Sequence, residues 1–264
     1  MNVAVVTTSN DPSAVLFRDG MPNGSNTKIV FYDSLLDDIT SLDDYDNIIL
    51  RDPYNTGNDY SFILQKILHT YPTKILLDYR CYKDMPKYED KLFQSKIYEK
   101  NNLPHPKTIH TSDLGRLRDF PYLMKKRYSS RNKGNFIVNN QIDIQQYLSS
   151  GQLADYIFQK LLSIKSEYRI LVYNRELVGF IEKTIIDNKL RVAAPKTDPK
   201  PEYIQIAIQA ASAMLCEFAG VDLVITQDNT PLIIETNVSP QFLRYYEITN
   251  QNPVKTIFQS KGVS

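Results

Sequence analysis

The segment Phe218-Ala-Gly-Val-Asp-Leu-Val-Ile-Thr-Gln-Asp-Asn-Thr-Pro-Leu-Ile-Ile-Glu-Thr-Asn-Val-Ser-Pro240 constrains the fold more than any other. Val221 to Thr226 and Leu232 to Thr236 are rich in β-branched residues and flank the turn signal Gln-Asp-Asn-Thr, which predicts a hairpin. With Asp228 and Asn229 as the turn, Gln227 faces Thr230 and Asp222 faces Glu235. Side chains alternate faces along a strand, so Asn237 shares the face of Glu235, while Leu223, Ile225, Leu232 and Ile234 cover the other. Opposed Cβ atoms lie about 5 Å apart. Two carboxylates at that spacing repel unless a cation lies between them. An all-oxygen set suits Mg²⁺, which takes one or two carboxylates and completes its shell with water and phosphate. The alternative is an ordinary hairpin whose polar residues face water. Against it stands the way these residues interrupt otherwise apolar strands.

The remaining chain narrows the class. Its 264 residues suffice for two or three small lobes with a sizeable core. With 31 basic and 30 acidic residues the formal charge is +1, which gives no electrostatic case for nucleic acid or an anionic membrane surface. No apolar run approaches the roughly 18 residues of a membrane span. The start, Met1-Asn-Val-Ala-Val-Val, lacks a basic leader region and reads as a first strand. Cys81 and Cys216 are isolated, which points to a reducing cytoplasm and not a disulfide framework. His69, His105 and His110 have no metal-ligand spacing, and no Ser/His/Asp or Cys/His arrangement is apparent.

Strand and helix signals alternate over residues 1 to about 85. Val3–Val6, Lys28–Tyr32, Asn47–Leu50 and Lys74–Leu77 are short apolar runs, and Tyr60 to His69 is amphipathic, with Asn58 and Asp59 as caps. This predicts a small parallel α/β lobe. A helix over residues 88 to 102 follows. Residues 106 to 162 predict an α+β lobe, with strands at Tyr122–Lys126 and Asn135–Val138 around the loop Ser129 to Gly134, a helix over Asp143–Leu148 and a strand at Tyr156–Leu162. Next come Tyr168–Tyr173 and Glu176–Glu182, joined by an Asn174-Arg175 turn. A long helix is predicted from Pro201 to a C-terminal cap at Gly220, with a stripe of Ile204, Ala207, Ala211, Met214, Leu215 and Phe218.

Several of these pieces occur in a familiar order. Glu89-Asp-Lys-Leu and the helix end Asn-Asn-Leu-Pro-His-Pro-Lys-Thr108 precede Tyr122-Leu-Met-Lys-Lys and the Ser/Gly loop. Then come Phe158-Gln-Lys-Leu-Leu, Glu167-Tyr-Arg-Ile-Leu-Val-Tyr and finally Phe218-Ala-Gly-Val-Asp with Ile234-Glu-Thr-Asn-Val-Ser-Pro. Over roughly residues 45 to 243 the chain resembles the ATP-grasp superfamily, and most closely its RimK-like and glutathione-synthetase-like carboxylate–amine ligases. The resemblance implies a mixed α/β and α+β ATP-grasp fold. Its parts would be an N-terminal α/β lobe at 1–85, a small lobe with its entry helix at 86–162, and a C-terminal lobe with the metal hairpin at 163–264.

The resemblance also implies a ligase that uses ATP and Mg²⁺ (or Mn²⁺) to activate a carboxylate as an acyl phosphate, which an amine then captures. Phosphoryl transfer needs charge neutralisation and positioning more than covalent help. Lys91 and Lys125 match the phosphate-contacting lysines, and a lysine on an apolar strand is costly to bury without an anion. Ser129, Ser130, Lys133 and Gly134 belong to the loop that would cover the phosphates. Gln159 and the backbone of Leu161 and Leu162 match the adenine edge, Glu167 the ribose or phosphate side, and Arg169 the arginine facing the reacting phosphate. Asp222, Glu235 and Asn237 match the metal ligands. Arg51, Arg191 and Ser239 are substrate-side candidates, with Arg51 a carboxylate clamp or a salt bridge to Asp52 or Asp46.

Two departures stand out: the loop carries only Gly134 where relatives carry several glycines, and Lys160 replaces an acidic residue. They keep open a nucleotide-binding module without turnover. A kinase with a hydroxyl acceptor is the third reading. The expected partners are a small-molecule or peptide carboxylate and an amine, with self-association as in many relatives.

Overall fold

The computed structural model describes residues 1–51, 60–77, 87–129, 134–148, 151–186, 189–193 and 198–260. Asp52, Asn58, Asp59, Cys81, Ser130 and Lys133 lie outside the described residues, as does the side chain of Arg191. The N-terminal lobe contains β1 (Asn2–Thr7), α1 (Ser13–Gly20), β2 (Asn26–Phe31), β3 (Asn47–Leu50) and α2 (Ser61–Thr70). Then come α3 (Lys91–Lys100), β4 (Thr108–Ile109), β5 (Tyr122–Lys126), β6 (Asn135–Val138), α4 (Gln141–Tyr147) and β7 (Tyr156–Lys160). The C-terminal part runs through β8 (Ile164–Tyr173), β9 (Glu176–Ile186), β10 (Lys189–Ala193), α5 (Pro201–Ala213), β11 (Phe218–Thr226), β12 (Pro231–Asn237), α6 (Leu243–Thr249) and α7 (Pro253–Ser260).

These strands make three sheets, ordered β2-β1-β3, β4-β7-β5-β6 and β10-β9-β8-β11-β12. The first is parallel, and the pairings of the other two are antiparallel. Central strands carry the continuous apolar runs that two covered faces demand. In β11 all nine residues are buried, and in β1 only Asn2 is exposed. Odd-numbered residues of β11 such as Val221 and Leu223 lie on one face of the sheet. On the other face Phe218 meets Phe17 and Phe242 edge to face, at 6.2 and 5.8 Å between ring centroids.

That aromatic contact joins the first and third sheets into one core, which takes in Val5, Phe17, Ile49, Ala207, Leu223 and Phe242 together. The four-stranded sheet has its own smaller core of Leu117, Tyr122, Met124, Val138, Ile144, Tyr156 and Phe158. The sequence reading grouped α3 with this small lobe, yet Tyr98 and Leu103, on and just after α3, lie in the larger core.

Three expectations are corrected. Lys74–Leu77 makes a single parallel bridge, Ile48 to Ile75, and not a strand. The helix predicted over 88–102 spans only Lys91–Lys100, because Asp90 caps it by accepting from the Leu92 N–H. The helix from Pro201 ends at Ala213, not at Gly220. Leu215 takes the left-handed conformation (φ 55°), and the Cys216 N–H closes onto the Ala211 carbonyl at 3.0 Å. Gly220 sits instead in β11, where a Cβ would lie 2.7 Å from that of Pro240. Among the elements not foreseen are α1, whose Leu16 and Phe17 are buried, the short strands β4 and β10, and the C-terminal helices α6 and α7.

Candidate active site

The site begins with the hairpin of β11 and β12. Asp222 pairs with Glu235, and Gly220 with Asn237, so both carboxylates and the amide share one face. The route to this register differs from the simple two-residue turn. The Thr226 N–H bonds to the Thr230 carbonyl and Asn229 takes φ 64°, which lengthens the turn by one residue. A bulge between Asp222 and Leu223 then opposes Leu223 to Ile233 and restores the pairing of the acidic residues. The buried apolar face therefore uses Leu223, Ile225 and Ile233, while Leu232 and Ile234 are only half-buried.

The charges on this face are already partnered. Arg169 on β8 lies across from Asp222 and grips it through two hydrogen bonds, both 2.7 Å. The charge of Asp222 raises the guanidinium further above its usual range. Lys91, the first residue of α3, reaches Glu235 Oε1 at 3.3 Å and donates to the Ser129 carbonyl at 2.6 Å. Glu167 pairs with Lys183 on β9.

Lys125 is different. It projects from β5 of the small lobe and is 5% exposed, and its side chain makes no hydrogen bond or ion pair with any described residue. Burial pushes its ammonium down to about 8. Glu235, Asp222 and Glu167 pull the other way, and Lys91 adds to the depression. A lysine that is desolvated and unpaired is prepared for an anion.

The donor set fits Mg²⁺ by its chemistry. Asp222, Glu235 and Asn237 offer hard oxygen atoms, and two carboxylates face each other in register. Among the described residues no group of three or more His, Cys, Asp or Glu is placed to hold a metal, and Asn237 offers an amide oxygen on the same face as the two carboxylates. Asn237 Nδ2 lies 3.2 Å from Asp222 Oδ2 and 3.3 Å from the Gly220 carbonyl.

The other candidates are distributed as follows. Gly134 has φ 75°, and a Cβ there would come within 2.9 Å of Lys126 Cβ, so the loop's single glycine is required where it returns to β6. Gln159 is buried and donates to Thr108 Oγ1 at 2.9 Å. Leu161 and Leu162 lead from β7 toward β8, and the Ser163 carbonyl just beyond accepts from the Gln227 N–H of the hairpin turn. Lys160 donates to the Asp119 carbonyl and lies over the Tyr122 ring. Arg191 lies on β10 opposite Thr184, and Ser239 follows β12.

Arg51 is 1% exposed and pairs with Asp11. Its Nη2 also donates to the Pro240 carbonyl at 3.1 Å. Burial raises the Asp11 carboxyl, but the charge and hydrogen bonds of Arg51, with Thr7 and Gln241, outweigh it and hold it at about 2. Sequence reasoning missed Asp11, Lys183 and Gln94. Only Lys183 left a signal, as a charge within the apolar run of β9.

Structural comparison finds the same fold in several ATP-grasp ligases. The ATP-grasp ligase PsnB complexed with a minimal precursor superposes with a TM-score of 0.74 at 16% identity, over 98% of this chain and 97% of that one. D-alanine–D-alanine ligase from Bacillus anthracis, complexed with ATP, gives 0.74 at 13% identity over 100% and 97%. N5-carboxyaminoimidazole synthetase from Staphylococcus aureus, complexed with ADP, gives 0.75 at 15% identity over 99% and 78%. These likenesses show the fold. A family model, the RimK-like ATP-grasp domain, matches residues 90–259, and the chain belongs to that family. No curated protein matches the sequence. Among the described residues no helix is long and apolar enough to cross a membrane.

Proposed function

We propose that the protein is an ATP- and Mg²⁺-dependent ligase that joins a carboxylate to an amine through an acyl phosphate, releasing ADP and phosphate. The observation that carries the reading is the facing of Asp222, Glu235 and Asn237 on one lobe by the buried, unpaired Lys125 of the other. Mg²⁺ held by the three oxygen donors would supply charge neutralisation at the phosphates. Lys125 and Lys91 bind the negative oxygens of the transferred group. A substrate carboxylate oxygen attacks the γ-phosphorus and ADP departs. The amine then attacks the acyl carbon, loses a proton, and inorganic phosphate leaves.

Arg169 is the hinge of this scheme in charge terms. Its fork neutralises Asp222. A cation on Asp222 would free the guanidinium to face the acyl phosphate. Beside it lies a small, partly open pocket lined by Arg169, Leu171, Phe180, Phe242, Arg244 and Tyr245. Two arginines over apolar walls suit a carboxylate on a short apolar arm.

The experiment is a screen of amino acids and small peptides for stimulated ADP release, with mass spectrometry of the product. Ligation predicts ADP, phosphate and a mass equal to the two substrates less water. Nucleotide binding with no turnover across the panel, or AMP as product, contradicts the ligase reading. Arg244→Ala should raise KM for the acid about tenfold or more with little change in KM for ATP.

A further inference from the structure

One face of α3 carries Lys91, Gln94 and Tyr98, at the i, i+3 and i+7 positions that line up along a helix. All three meet β12. That strand is the edge of its sheet, so every second residue has backbone groups with no strand to pair with. At Thr236 the partner is the side-chain amide of Gln94. Gln94 Oε1 accepts from the Thr236 N–H at 2.9 Å, and Gln94 Nε2 donates to the Thr236 carbonyl at 3.1 Å. The same amide donates to the Tyr88 carbonyl at 2.8 Å and accepts from Tyr98 Oη at 2.9 Å. Both protons and both lone pairs of the amide are used, which fixes its orientation. Tyr98 Oη also lies 2.9 Å from Thr236 Oγ1. Gln94, Tyr98 and Thr236 are all buried.

Thr236 is the residue between Glu235 and Asn237. Its two peptide groups are shared with those neighbours, so holding them fixes the Cα positions of both. We infer that Gln94 is a positioning residue: its amide acts as a one-residue strand that holds Glu235 and Asn237 at a set height against Lys91. The helix face that places Lys91 on the phosphate side thereby also sets the metal-side oxygens. This rests on the reading of Asp222, Glu235 and Asn237 as metal ligands.

The test uses Gln94→Met, which keeps volume and removes all four hydrogen bonds, and Tyr98→Phe, which removes one hydroxyl. Two readouts are taken on the full chain: calorimetric binding of ADP with and without Mg²⁺, and hydrogen exchange of the Thr236 amide. Gln94→Met should weaken Mg²⁺-dependent ADP binding about tenfold, leave metal-free ADP binding unchanged, and speed Thr236 exchange about tenfold or more. Tyr98→Phe should move both in the same direction by about threefold. A folded Gln94→Met protein with the wild-type Mg²⁺ response overturns the inference and leaves Gln94 as cover for a strand edge. Should Gln94→Met fail to fold, an unchanged Mg²⁺ response in Tyr98→Phe overturns it equally. A wild-type protein whose ADP binding ignores Mg²⁺ removes the metal reading and the inference with it, whatever the exchange data show.

Discussion

The two bodies of the molecule bury their sheets on different scales. The first and third sheets share one core, sealed by Phe17, Phe218 and Phe242 and by the buried Arg51–Asp11 pair. The four-stranded lobe has a separate core of seven buried side chains. The oxygen donors stand on the large body and Lys125 on the small one. Side-chain contacts between them among the described residues include Lys91 of α3, which reaches the Ser129 carbonyl, and Asp90, which pairs with Arg127. The difference teaches a division of labour. On the proposed reading, the larger body carries the metal-binding carboxylates and the smaller lobe the phosphate-binding Lys125.

The sharpest way to break this comparison is to remove a platform oxygen. Glu235→Ala should lower substrate-dependent ADP release about a thousandfold, roughly 4 kcal/mol of charge stabilisation, with the protein still folded. Next is the strut of the large body. Asp11→Ala leaves Arg51 charged and buried, and should cost about 3–5 kcal/mol in denaturant unfolding. Because the Asp11 carboxyl is held at about 2, against 3.8 unfolded, its contribution is present above pH 3.8 and is lost as pH falls toward 2.

A similar truncation in the small lobe should have a local effect. Met124→Ala should cost about 2–5 kcal/mol. Hydrogen exchange should then rise across β5, β6 and β7 while β11 stays protected. Equal loss of protection in β11 would show one cooperative unit and dissolve the comparison.

The mildest test concerns Lys125. Its pKa is about 8 folded and 10.5 unfolded, so between those values the unfolded chain holds a proton that the native chain lacks. Stability should therefore rise as pH climbs from about 8 to 10.5, and the penalty should be fully present below 8. Anion binding restores the charge, so ADP binding near pH 8.5 should take up protons, seen as a buffer-dependent binding enthalpy. Lys125→Met should lose both effects.

The hairpin was the most legible part of the fold, though for a mixed reason. The opposition of Asp222 and Glu235 follows from a two-residue turn in the sequence reading. In the structure the turn is longer and a bulge compensates. Two departures of one residue cancel, and period-two alternation along each strand keeps the acidic residues on one face. The end of α5 was not legible, because Leu215 adopts a conformation that glycine usually supplies. Gly220, the natural cap by sequence, is a glycine for contact with Pro240.

The ordered motifs located the elements bearing Lys91, Lys125, Arg169 and Asp222. They contained no sign of what joins those elements. Gln94 meets Thr236 across 142 residues, and Arg51 meets Asp11 across 40. Neither has local periodicity. Such long-range polar contacts become visible only when the chain is folded.

The central claim is that the β11–β12 face holds a divalent cation together with a nucleotide. Mn²⁺ tests it directly through its paramagnetic resonance. In the presence of ADP, the wild-type protein should deplete the free Mn²⁺ signal stoichiometrically, and Glu235→Ala should weaken that binding by at least about tenfold. A folded Glu235→Ala protein that takes up Mn²⁺ and ADP as the wild type does would contradict the account.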